Sequence, residues 1–194
     1  MDFEFLLLIR SKSYEEAQLL GVFAVQRFLV NLLPAYWPHL LNKVSRVFEY
    51  LNHAKDYGIS ADNIKADFNA VIKRSRDVAD GMSKGIQFLM KKNKIDVIDG
   101  FGKIKTGKKV DVTDADGKVT EYSANHIIIA TGARSRELPN LPQDGKKVIG
   151  YRQAMTLPTQ PKKMIVVGSG AIGVEFAHFY NAMGTDVTIV EFLP

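Results

Sequence analysis

Met164-Ile165-Val166-Val167-Gly168-Ser169-Gly170-Ala171-Ile172-Gly173-Val174-Glu175 is the stretch that decides the fold. Four apolar residues in a row predict a strand buried in a parallel sheet. Three glycines at GxGxxG spacing then predict a tight bend into a helix. Val174, Ala177, Phe179 and Ala182 are the expected packing residues of that helix, and Met183-Gly184 should close it. A second strand, Asp186-Val187-Thr188-Ile189-Val190, ends in Glu191, which lies 18 residues after Gly173.

Each residue type in this pattern has a physical task. Gly168 permits the turn, Gly170 lets a pyrophosphate approach bare backbone, and Gly173 lets the helix lie close on the strand. The helix N-terminus offers unpaired N–H groups and positive partial charge to phosphates. A carboxylate at Glu191 accepts hydrogen bonds from a ribose 2′-hydroxyl and repels a 2′-phosphate, which favours NAD over NADP. Gly168, Ser169, Gly170, Ala171, Ile172, Gly173, Val174, Glu175 and Glu191 are therefore the expected NAD-binding set.

Outward from this unit, Pro139, Pro142, Pro158 and Pro161 mark the upstream stretch 134–161 as a linker. Before it, His126-Ile127-Ile128-Ile129-Ala130 reads as another strand buried on both faces. Lys109–Thr113 and Val119–Tyr122 flank Asp114-Ala115-Asp116-Gly117, a hairpin signal. The same Asp-x-Asp-Gly opens calcium loops, but the twelfth position is Asn125, so the turn is expected and no metal site. Ile95-Asp96-Val97-Ile98 alternates and predicts a further strand.

Two helices are expected earlier. Val47, Leu51 and Ala54 fall at helical spacing up to Gly58, a C-cap candidate. Phe68, Val71, Ile72, Val78, Met82, Ile86 and Leu89 trace the apolar face of a longer helix. Residues 1–43 hold no motif, and helical pieces are expected on either side of Pro34 and Pro38.

Composition limits the chemistry. The chain has 194 residues, a net charge of +5 and no cysteine. No disulfide, thiolate metal site, iron–sulfur cluster or cysteine nucleophile can be built from it, and a cytoplasmic location fits. The opening Met1-Asp2-Phe3-Glu4 is too acidic, and the apolar run after it too short, for a signal peptide. No run is long enough to cross a bilayer. Lys73-Arg74-Ser75-Arg76 and Lys91-Lys92-Asn93-Lys94 lack an aromatic platform and read as solvated faces, so neither nucleic acid nor membrane is an expected partner.

From Val44 to Pro194 the sequence resembles the pyridine nucleotide–disulfide oxidoreductase family, in the branch that oxidises dihydrolipoyl groups. Val47-Phe48-Glu49-Tyr50, Gly100-Phe101-Gly102-Lys103-Ile104, Ile129-Ala130-Thr131-Gly132-Ala133, Gly168 to Glu175 and Thr188-Ile189-Val190-Glu191-Phe192 carry the likeness. The resemblance implies an α/β chain: a partial two-dinucleotide-binding flavoprotein, with an incomplete FAD domain followed by the first βαβ of a Rossmann NAD domain. It implies an anomalous segment at 1–43, a partial FAD-binding domain at 44–150 and the start of the NAD-binding domain at 151–194. It further implies FAD contacts from Gly102, Thr131, Gly132 and Ala133, a homodimer for the whole protein, and a lipoyl-bearing 2-oxoacid dehydrogenase complex or glycine cleavage system as partner.

The departures from the family pattern are as informative. Residues 1–43 contain no GxGxxG, and the family's redox cysteine pair is missing. His39, His53, His126 and His178 match nothing catalytic, so no catalytic residue is expected within the chain. The expectation is a fragment inactive in dithiol turnover, with 1–43 replaced by a shifted reading frame. The alternative is a non-catalytic nucleotide-binding or partner-docking module of the same descent.

Overall fold

The computed structural model describes residues 2–8, 40–129 and 138–191. The expected piece before Pro34 lies outside them, as do Ala130, Thr131, Gly132 and Ala133, while a helix is present from residue 40, after Pro38. The chain divides into two compact units: Met1–Leu33 with Asp80–Arg134, and Pro34–Ala79 with Ser135–Pro194.

The first unit holds a four-stranded sheet in the order β1-β4-β3-β2. Its strands are β1 (Asp2–Leu8), β2 (Phe101–Lys105), β3 (Lys109–Thr113) and β4 (Val119–Ile129). The β3–β4 hairpin forms as expected, with Asp114 as its clasp. Its backbone N–H donates to the Lys118 carbonyl oxygen, and its carboxylate accepts from the Asp116 and Lys118 N–H groups. Two expected strands are one, since β4 runs unbroken from the hairpin through Ile129. Its first half pairs antiparallel with β3 and its second half parallel with β1. A strand at Asp2–Leu8 thus occupies the segment in which no motif was legible. Ile128 and Ile129 are 51% and 63% exposed, so this end of β4 is not the doubly buried strand its sequence predicts. Ile95–Ile98 forms no strand; Ile98 instead packs on Val110, Val112 and Ala124.

Helix α1 covers 40–52, followed by a 3-10 turn at Ala54–Tyr57. Gly58 ends this segment in the left-handed region at φ 71°, as its C-cap position predicts. The buried face differs from the expected one: Leu41, Ser45 and Ala54 are buried, whereas Val47 and Leu51 face outward. Helix α2 (Phe68–Lys92) begins where the Asp67 carboxylate accepts the Ala70 N–H at 3.0 Å. Its buried stripe runs through Phe68, Val71, Ser75, Ala79, Ile86 and Met90, while Met82 and Leu89 are exposed.

The second unit contains α3 (Tyr151–Ala154), β5 (Lys163–Val167), α4 (Ala171–Ala182) and β6 (Asp186–Val190). Strands β5 and β6 pair in parallel, with α4 as the crossover. Phe176, Phe179, Tyr180 and Met183 of this segment are buried against Leu41, Phe68, Val71, Ala154 and Met155. The Phe68 ring lies 6.2 Å from Phe179 and 6.0 Å from Tyr180, in the range of favourable aromatic contact. Burying several aromatic side chains at roughly 1.5–3 kcal/mol each makes this cluster the main hold on α4. Two expectations change here. The proline-marked stretch is no bare spacer, because Met155 is fully enclosed and Ile149, Tyr151 and Leu157 pack on the cluster. Strand β5 is covered on one face only: Met164 and Val166 turn toward the helix side, while Ile165 is 69% exposed. Val174, an expected packing residue, is 46% exposed.

Candidate functional site

The sequence places two glycines between β5 and α4 and a third in the first turn of α4, and the structure gives them three different roles. Gly168 has φ +105°, a conformation that side chains rarely adopt, and its N–H continues the strand ladder by donating to the Val190 carbonyl at 2.9 Å. Gly173 sits one helical turn later, where a Cβ would collide with the Gly168 carbonyl oxygen. Gly170 is the N-cap of α4 at φ −63° and ψ 166°, and among the described residues, apart from its chain neighbours, no atom lies within 4 Å of where its Cβ would be. The first intrahelical bond runs from the Val174 N–H to the Gly170 carbonyl at 3.0 Å. No side chain caps the helix, so the N–H groups of its first turn point out of the bend.

Glu191 reaches this bend because of the parallel register. Val167 pairs with Val190, so the next residue of each strand meets across the top of the sheet. There the Ser169 backbone N–H and the Ser169 hydroxyl both donate to Glu191 Oε2, each at 2.7 Å. Sequence spacing put Glu191 near the bend but did not reveal this clasp. The only available signal was a hydroxyl at the second position of the glycine turn.

The register is fixed at the opposite end of the strands. Thr185 is buried, and its hydroxyl donates to the Pro161 carbonyl at 2.8 Å. Gln160 Nε2 donates to the Met183 carbonyl at 2.7 Å and to Thr185 Oγ1 at 3.3 Å. The Asp186 N–H donates to the Lys162 carbonyl at 2.9 Å and starts the ladder. A slip of one residue would break these bonds and carry Glu191 away from Ser169.

Ala171, Ile172, Val174 and Glu175 follow on the first turns of α4, with Ile172 42% exposed. Gly102 lies elsewhere, buried in β2 opposite Val112. His53 Nδ1 meets the Glu49 carbonyl oxygen at 2.9 Å, and His178 Nε2 lies 3.8 Å from the Glu49 carboxylate. Neither histidine belongs to the bend. No helix among the described residues is long and apolar enough to cross a membrane.

The comparisons with known proteins agree with this geometry. The family described as pyridine nucleotide-disulphide oxidoreductase matches residues 32–194, starting upstream of Val44. A protein of Rhizobium etli named dihydrolipoyl dehydrogenase is 43% identical over 169 residues, covering 79% of this chain and 35% of that protein. One of the same name from Chlorobaculum tepidum is 44% identical over 154 residues, covering 79% of this chain and 33% of its own. The chain thus spans about a third of the length of these curated relatives. A crystal structure of LpdA from Mycobacterium tuberculosis superposes with a TM-score of 0.76 at 22% identity, covering 97% of this chain and 44% of that one, which shows the shared fold. With the family model matching residues 32–194, most of its length, the chain belongs to the pyridine nucleotide-disulphide oxidoreductase family.

Proposed function

We propose that the chain holds NAD on the bend between β5 and α4, as part of a dihydrolipoyl dehydrogenase-type flavoprotein oxidoreductase. The observation that carries this is Gly170. The chain itself accounts for Gly168, through its dihedral angle, and for Gly173, through the backbone beside it. Among the described residues, neither a neighbouring atom nor the dihedral angle requires a glycine at 170, where φ is −63° and the space is open. Bare backbone at the mouth of a helix N-terminus serves a group that arrives from outside. A diphosphate fits both the shape and the sign of that position.

The remaining residues have definite tasks. The first-turn N–H groups of α4 bind the phosphates, and Glu191 binds the adenosine ribose while repelling a 2′-phosphate. Ser169, Ala171, Ile172, Val174 and Glu175 line or support the same turn. FAD is the second cofactor, held by Gly102, Thr131, Gly132 and Ala133 within a partial FAD domain at 44–150, ahead of the NAD unit at 151–194. Bound there, FAD would supply hydride chemistry toward the nicotinamide. This chain's part would be to hold each cofactor. It contributes no thiol, so the disulfide step of dihydrolipoyl oxidation does not run on it alone. By family, the partner is a lipoyl-bearing 2-oxoacid dehydrogenase complex or glycine cleavage system, the whole protein is a homodimer, and the location is cytoplasmic.

A second reading, a non-catalytic nucleotide-binding or docking module, draws on the exposed Ile165, Val167 and Val190 of β5 and β6. The two readings separate on one preparation. Calorimetric titration should show saturable NAD⁺ binding with NADP⁺ much weaker, and the absorption spectrum should show bound flavin. NAD⁺ binding to a colourless protein supports the module. No NAD⁺ binding removes the first reading and the nucleotide-binding form of the second.

A further inference from the structure

We propose that Ser169 is a positioning residue that sets the preference between NAD and NADP by holding the Glu191 carboxylate at the mouth of the bend. The assignment rests on the NAD function proposed above and adds to it the residue that makes the discriminating charge stay in place.

Glu191 follows the last residue of β6 and is exposed, as is Ser169. An exposed glutamate in such a position samples many rotamers, and a charge that wanders discriminates poorly. Here two donors of one residue converge on the same oxygen, the Ser169 N–H and the Ser169 hydroxyl, each at 2.7 Å. Short, charge-assisted bonds of this kind select one arrangement. The ordering entropy is therefore spent before a ligand arrives, as in any preorganised site. The backbone donor survives substitution by alanine or threonine, so the hydroxyl's share can be removed alone.

Ser169 also lies outside the left-handed backbone region, so alanine and threonine both fit there. Alanine deletes the second donor, and threonine keeps it. The full chain and its Ser169→Ala and Ser169→Thr variants are titrated with NAD⁺ and NADP⁺ by calorimetry, with thermal melting recorded for each. Loss of one net hydrogen bond predicts that Ser169→Ala lowers the NAD⁺-to-NADP⁺ affinity ratio by about two- to tenfold. Ser169→Thr should restore the ratio, and melting should be unchanged. A merely structural role would lower both affinities together and shift melting, leaving the ratio fixed; that result overturns the proposal. So does an alanine variant with the parent's ratio. Failure of the unsubstituted chain to bind NAD⁺ is a different outcome, which removes the underlying function and this role with it.

Discussion

The carbonyl oxygen of Gly168 and the Cα of Gly173 lie so close that a methyl group on Gly173 would overlap that oxygen. The contact joins the end of β5 to the first turn of α4, and it exists because the bend between them is only three residues long. The helix mouth is thereby set directly above the strand end, which is where open α/β sheets take their ligands.

Gly173→Ala should accordingly destabilise the second unit. The obstructing atom is backbone, which cannot swing aside as a long side chain would. The cost expected for forcing a methyl into such a gap is roughly 1–3 kcal/mol. Urea unfolding followed by circular dichroism would measure it, and an unchanged midpoint would mean that the helix moves off the strand freely.

Thr185 makes a similar argument at the other end of the strands. Thr185→Val keeps the volume but removes the donor to the Pro161 carbonyl and the acceptor for Gln160. A loss of about 1–3 kcal/mol is expected from the polar groups left without partners. Amide exchange along β6 should accelerate in parallel, because the same bonds fix its register.

Tyr180 supplies a pH dependence. Its ring is fully buried, its hydroxyl donates to the Ala154 carbonyl, and burial pushes its pKa well above the ordinary 10.0. In the unfolded chain the phenol ionises at its usual value, so above about pH 10 the unfolded state binds fewer protons than the folded one. Stability is therefore fully present below that pH and falls as the pH rises beyond it. Tyr180→Phe should lower stability by about 1–3 kcal/mol at neutral pH, since the Ala154 carbonyl loses its donor. It should also flatten the alkaline decline. Melting temperatures between pH 8 and about pH 11 would test both effects, the upper limit lying above the usual phenol value.

The parts legible in the sequence were those fixed by local rules. The order β5, bend, α4, β6 followed from glycine spacing and apolar runs, and the β3–β4 hairpin from its Asp-x-Asp-Gly turn. The parts that escaped depend on what lies opposite. The buried faces of α1 and α2 run through Ser45 and Ser75, polar residues whose burial no hydrophobic count registers, and through the small Ala79. Val47, Leu51, Met82 and Leu89 look like core and are not. Ile95–Ile98 alternates as a strand would but finds no partner strand. At the site, sequence named Ser169 and Glu191 separately, while their bond depends on a register set by Thr185 and Gln160.

Gly170 gives the most direct test, because there stability and affinity should part. Gly170→Ala places a methyl in open space at an ordinary dihedral angle, so the loss of stability should stay within the roughly 1 kcal/mol by which alanine is the poorer N-cap. The same methyl stands where the diphosphate must approach, and NAD⁺ affinity measured by calorimetry should fall about tenfold or more, equivalent to roughly 1.4 kcal/mol. An alanine variant that binds NAD⁺ as tightly as the parent would contradict the claim that this bend receives the dinucleotide.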